Sequence, residues 1–171
     1  MDHINTAMRA RVDELLGREA RGLRDIPVQD AAGQPQVIQV ASLVADKPFP
    51  TLFWLIDPQL SYRIDQLEAG GLIAELQQRI DESSSLQKSM REDHERHIRL
   101  RNSLMTDSER KELQALGYYD SLQKRGIGGI ENFSRIRCLH TWYAAHLVEP
   151  NTIGRLLHEV FSEVQNSPLL E

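Results

Sequence analysis

Apolar positions recur at helical spacing along most of the chain and give way to β-prone runs in one stretch only. Ile4, Met8, Val12, Leu15 and Leu16 mark an amphipathic helix that Gly17 ends. The charged stretch 18–24 reads as a connector. Val37, Ile38 and Val40, preceded by the turn signal Gly33-Gln34-Pro35, form one β-prone run. Thr51-Leu52-Phe53-Trp54-Leu55-Ile56 forms a second, bracketed by Pro48, Pro50 and Pro58. A small antiparallel sheet of two or three strands follows, and a sheet of that size must pack against helices.

Helices account for the rest. Asp57 is placed to cap a helix with Pro58 at its first position; Leu60, Ile64 and Leu67 are its stripe and Gly70-Gly71 its end. Leu72, Ile73, Leu76 and Ile80 form a second short helix, and serines 83–85 interrupt the pattern before it resumes over 86–105. Thr106 with Glu109 reads as a capping box for a helix that stops at Gly117. After the loop Arg125-Gly126-Ile127-Gly128-Gly129-Ile130, helical patterns are expected over 133–148, with Asn132 as cap, and over 152–165, capped by Asn151. The expected fold is α+β: one helix-rich domain over 1–171, with a small two- or three-stranded antiparallel sheet and a frayed tail from Ser167 to Glu171.

Composition narrows the function classes. Hydrophobic types make up 40% of the 171 residues and charged types 26%, which excludes wholesale disorder. A net charge of −5 argues against a nucleic-acid coat protein. A single cysteine excludes an internal disulfide and a multi-cysteine zinc site. The first twenty-five residues hold five arginines, five acids and no apolar run, so no signal peptide is expected. No stretch nears the ~18 apolar residues of a membrane span. A cytoplasmic protein with no nucleic-acid or membrane partner is the expectation. The 16 arginines against 4 lysines suit grip on carboxylates and phosphates, although high genomic GC content biases composition the same way.

Candidate chemistry lies in two places. On the 86–105 helix, projection at about 100° per residue puts His94, His97 and Arg101 on the same face as Leu86, Met90, Leu100 and Leu104. A buried arginine needs a carboxylate, a phosphate or backbone carbonyls, because its desolvation costs several kcal/mol. The second place is residues 121–140, where Lys124, Arg125, Arg135 and Arg137 oppose Glu131 alone. There the amides of Gly128 and Gly129 can bend toward an anion, though the spacing matches neither a dinucleotide fingerprint nor a P-loop.

Beyond the loop, Cys138, His140 and His146 add a thiol and two imidazoles. On a regular helix Cys138 and His140 diverge by about 200° and meet only if the first turn is not helical. His94, His97, Cys138, His140 and His146 would suffice in number for zinc, but His94-Glu95-Arg96-His97 is not an HExxH motif and the nearby arginines repel cations, so no metal ligand is assigned. His3 and His158 read as incidental, and the last helix as packing.

Pro48-Phe49-Pro50-Thr51-Leu52-Phe53-Trp54-Leu55 followed by Asp57-Pro58 resembles a bacterial family catalogued as domain of unknown function 501. Leu67-Glu68 before Gly70, His94-Glu95, the Gly126–Gly129 loop, Cys138-Leu139-His140 with His146, and Asn151 with Gly154 extend the likeness over roughly residues 10–162. Some relatives carry an extra cysteine ahead of the first strand; this chain reads Val28-Gln29-Asp30 there, so no metal role for that cysteine carries over. The resemblance implies an intracellular bacterial protein without an established reaction. Its relatives are often encoded near a cell-division initiator and an exopolyphosphatase-like enzyme, a link to phosphate metabolism or envelope growth.

These readings converge on a small anionic or phosphate-bearing ligand held between the 86–105 helix and the 126–146 segment. Arg101, Arg135, Arg137, His97, His146 and the amides of Gly128 and Gly129 are the expected binding groups. His94, His140 and Cys138 are the expected reactive ones, and no cofactor is specified. The alternative is a non-catalytic interaction protein, with a protein partner, whose polar cluster is structural. A metal-dependent hydrolase is third.

Overall fold

The computed structural model describes residues 4–166. The tail from Ser167 and the incidental His3 lie outside the described residues. Helix α1 (Thr6–Leu16) is capped by the Asn5 side chain, which accepts the Met8 N–H, and ends at left-handed Gly17. Strands β1 (Leu23–Gln29) and β2 (Pro35–Val40) follow, then a hairpin of β3 (Leu43–Val44) and β4 (Lys47–Pro48), then β5 (Phe53–Leu55). The main sheet is antiparallel in the order β1-β2-β5, with Val37 opposite Leu55 and Ile38 opposite Trp54.

Strand β1 starts at the end of the expected connector 18–24 and runs on through residues to which the sequence pattern assigns no strand. Its pairing with β2 is broken by register shifts around Asp25 and Val28, so Leu23 and Ile26 are buried at a spacing of three. Bulges thus erase the alternation by which a strand is recognised. The β3–β4 hairpin turns through Ala45 and Asp46, both at positive φ, without the glycine that usually announces such a turn.

Helix α2 (Pro58–Ala69) is capped by Asp57, which accepts the Gln59 and Leu60 N–H groups. Helices α3 (Leu72–Asp81) and α4 (Ser84–Leu104) follow, the latter capped by Ser83. The capping box at α5 (Asp107–Ala115) is complete, and Glu109, itself buried, also accepts the Ser42 N–H at 3.0 Å and lies 3.3 Å from Arg24. Thr106→Ala should therefore cost about 1 kcal/mol in urea unfolding. Glu109→Ala should cost two to three times as much, because it also strands the buried Ser42 N–H.

Short α6 (Tyr119–Gln123) and a single 3-10 turn at Ile127–Gly129 lead to α7 (Leu139–Val148) and α8 (Thr152–Asn166). Helix α7 is the hub of the main core: Leu139, Trp142, Tyr143, Ala144, Ala145 and His146 are all buried, against β5, α2 and α8. A helix covered on every side has no polar face, so its amphipathic signal vanishes. A second cluster packs α1 on the other face of the sheet, around Val12, Leu23, Ile26, Ile38 and Val40.

The helix expected over 133–148 begins only at Leu139. The preceding residues are held elsewhere. Asn132 Oδ1 accepts from the Ser134 N–H and hydroxyl, and the Gln77 amide on α3 donates to the Ser134 carbonyl while accepting the Ile136 N–H at 2.9 Å. With these groups paired to a side chain, the backbone has no need of helical bonds.

Candidate functional site

On α4 the apolar-face projection holds for Met90, His94, His97 and Arg101, while Leu104 at the helix end is exposed; the consequence of the projection is structural. Arg101 is 0% exposed; its guanidinium donates to the Pro50 carbonyl at 3.1 Å and to the Leu122 carbonyl, while Nε finds no partner among the described residues. Burial lowers its pKa to about 10, which leaves it charged at neutral pH. Of the three partners open to a buried arginine, the fold supplies backbone carbonyls, and Arg101 ties the Pro50 loop and helix α6 to α4.

His94 is equally buried. Its Nδ1 accepts the Ile127 N–H at 3.0 Å, and its ring stacks on Phe133 and meets Trp142 edge-on. His97 lies against Phe53. Burial lowers His94 to about 4, partly offset by Asp93, and lowers His97 to about 3, with Arg101 and His94 adding to the effect. His94, His97 and Arg101, expected to face a ligand, are instead neutral or carbonyl-bound groups of the core.

The glycine loop closes on itself in part. The Gly129 N–H donates to the Gly126 carbonyl and the Gly126 N–H to Ile130, so the expected amide cradle is closed at Gly129. Gly128 and Gly129 adopt φ of 66° and 73°, and a Cβ on Gly128 would lie 2.6 Å from Thr141 Oγ1. Their glycines allow a close approach to α7 and to Pro50.

His146 belongs to a separate network on α7. Its Nδ1 accepts the Asn151 N–H, so its proton sits on Nε2, which donates to His158 Nδ1 at 3.0 Å. His158 Nε2 then donates to the Tyr143 oxygen at 3.2 Å. Burial lowers the His146 pKa, with His158 and Arg155 adding to it; burial raises that of Tyr143. His158, read as incidental, is part of this chain of bonds.

What the fold does bring together is Cys138, His140 and two carboxylates of α2. Cys138 is the N-cap of α7 with an extended backbone, the non-helical case in which its side chain and that of His140 meet: Sγ lies 3.7 Å from His140 Nδ1. Glu68 Oε1 accepts the Leu139 N–H at 2.7 Å and sits 3.5 Å from the same Nδ1. The other ring nitrogen, Nε2, lies 3.2 Å from the Ser61 carbonyl and 3.1 Å from Asp65 Oδ1. The hydrogen bond with Cys138 raises the His140 pKa to about 9 against an opposing desolvation, with the charges of Cys138 and Glu68 and the Ser61 carbonyl adding. At Cys138 burial opposes ionisation, yet His140 and the helix-start N–H groups of Thr141 and His140 outweigh it and hold the thiol below its ordinary value. Neither N–H makes a regular capping bond.

The family model described as "Protein of unknown function (DUF501)" matches residues 26–159, from β1 into α8. The chain belongs to the DUF501 family. No curated protein and no solved structure matches it. No helix among the described residues of this DUF501 protein is long and apolar enough to cross a membrane.

Several cavities border the segment 123–141. One of ≈680 Å³ lies between α4 and residues 123–134, where a pocket was expected, but Arg91, Glu95 and Arg99 of α4 line it rather than the buried trio. A groove of ≈750 Å³ runs along α3 and is walled by Arg125, Arg135 and Arg137, with Glu68 at its edge. An aromatic pocket of ≈400 Å³ is lined by Phe49, Phe53, Trp54 and His140. Arg125 is paired with Glu131 at 3.0 Å, Arg135 stands 4.0 Å from Asp81, and exposed Arg137 has no ion pair among the described residues. Asp65 escaped the sequence reading, and Glu68 entered it only through the family likeness, with no role assigned. Their spacing of three on α2, which sets both on one helix face, is the signal that links them.

Proposed function

We propose that this DUF501 protein binds a small, phosphate-bearing anion in the groove along α3. The reading is carried by one observation: Arg125, Arg135 and Arg137 line a single groove, and Arg137 is uncommitted to any carboxylate among the described residues. Arginine is suited to bidentate contact with phosphate oxygens, and a groove of this volume accommodates a nucleotide-sized ligand. The same reading sets the protein in a bacterial cytoplasm, where such ligands abound.

Unfolding in the presence of inorganic phosphate, pyrophosphate, ADP or polyphosphate tests it. A ligand of this class at about thirty times its Kd should stabilise the fold by about 2 kcal/mol. Arg135→Ala and Arg137→Ala should each weaken its binding tenfold or more, as loss of a charge-assisted hydrogen bond does. The unliganded protein should keep its stability within about 0.5 kcal/mol, since both side chains are exposed. Silence across the panel, or affinity indifferent to both variants, would sink the reading. The burial of His94, His97 and Arg101 supports the second reading, an interaction protein with a structural polar cluster, to which such silence would point.

A further inference from the structure

Cys138, His140 and Glu68 present one sulfur, one nitrogen and one oxygen donor within 4.8 Å of one another. Their spacings carry information. A tetrahedral zinc ion with Zn–S of about 2.3 Å and Zn–N and Zn–O of about 2.0–2.1 Å places its sulfur and nitrogen ligands about 3.6 Å apart, and its nitrogen and oxygen ligands about 3.3 Å apart. The observed separations are 3.7 Å for Sγ to Nδ1 and 3.5 Å for Nδ1 to Glu68 Oε1.

The ring is also turned the right way. The Ser61 carbonyl and the Asp65 carboxylate both accept from Nε2, which keeps a proton there and leaves Nδ1 as the ring atom aimed at the sulfur and Glu68. A carboxylate on the distal nitrogen is the usual support of a metal-bound histidine. In the unliganded protein the proton that His140 holds on Nδ1 lies between the sulfur and Glu68, and a divalent cation would take its place among the same three donors.

We infer that Glu68, Cys138 and His140 form a zinc site, oriented by Asp65, with a fourth coordination position open toward the adjoining cavities. Sulfur and imidazole donors select zinc over magnesium or calcium, which take oxygen. Three protein ligands with one open position are the pattern of a site that engages a ligand rather than one that only staples a fold. Glu68 lines the arginine-walled groove and His140 the aromatic pocket, so the ion would stand between them. Nothing in the site depends on the anion groove being occupied.

Chelator-stripped protein titrated with Co²⁺ tests this directly. One equivalent per chain should bind, with the near-ultraviolet thiolate-to-cobalt absorption that Zn²⁺ then abolishes by displacement. Cys138→Ser should remove that absorption, Glu68→Gln should weaken binding at least tenfold, and Asp65→Asn should weaken it about tenfold. In the unaltered chain, Cys138 is the single cysteine, so saturating Zn²⁺ should slow its alkylation by iodoacetamide more than tenfold. No saturable Co²⁺ binding, a cobalt spectrum indifferent to Cys138→Ser, or an alkylation rate unchanged by Zn²⁺ would overturn the site. Arg135→Ala and Arg137→Ala should leave the cobalt spectrum intact, so failure of the groove and failure of the metal site are separately visible.

Discussion

Acidification from pH 6.5 to about 4.5 should destabilise the fold by on the order of 5 kcal/mol, because two histidines are buried neutral on α4. In the unfolded chain His94 and His97 take up protons near 6.5; in the native protein they do so only near 4 and 3. Their native pKa values are depressed, so the stabilisation is fully present above 6.5 and is lost as pH falls toward the native values. Within that window the unfolded state binds two more protons, and each costs about 1.4 kcal/mol per pH unit. The charges near them are few. Asp93 partly offsets the effect at His94, and Arg101 and His94 strengthen it at His97. The neighbours from other elements, Phe53, Phe133 and Trp142, are uncharged rings. The loss rivals the whole stability of an ordinary domain, about 5–15 kcal/mol. Urea unfolding at stepped pH measures it, and His97→Gln should roughly halve the slope. A stability independent of pH between 6.5 and 5 would refute the burial argument.

Gly154→Ala should destabilise the protein by about 3 kcal/mol, although the position is inside a helix. Helix propensity alone favours alanine over glycine by about 1 kcal/mol. Here the sign reverses, because the new Cβ would lie 2.0 Å from Cγ of His146. That ring cannot retreat without losing the Asn151 N–H on Nδ1 and its contact with His158. Overpacking of this kind costs about 1–3 kcal/mol before the hydrogen bonds are counted. Gly70→Ala is the control, since its Cβ would meet nothing closer than 3.4 Å. In a double-mutant cycle His146→Ala should relieve part of the Gly154→Ala cost, a coupling that two independent sites would not show. An unchanged or raised stability for Gly154→Ala would mean that the ring moves freely.

Much of the fold was legible because its signals are local. Asp57-Pro58 and Thr106 with Glu109 announce helix starts through bonds that span two or three residues. The β2 and β5 runs are apolar enough to be recognised alone, and the α4 periodicity places His94, His97 and Arg101 inside. Strand β1 was lost to its bulges, and the start of α7 to Gln77, a side chain more than fifty residues away.

By itself, then, the sequence determined the α+β class, most element boundaries, the family and the burial of His94, His97 and Arg101. What those groups do was decided only by tertiary structure. Arg101 donates to the carbonyls of Pro50 and Leu122, and every residue carries a carbonyl, so no side-chain identity could advertise those partners. Cys138 and His140 sit two residues apart in the chain, yet their meeting depends on an extended N-cap held by Glu68 and Gln77 from two other helices. Periodicity records whether a side chain is buried; only the packing of distant segments settles what it is buried against.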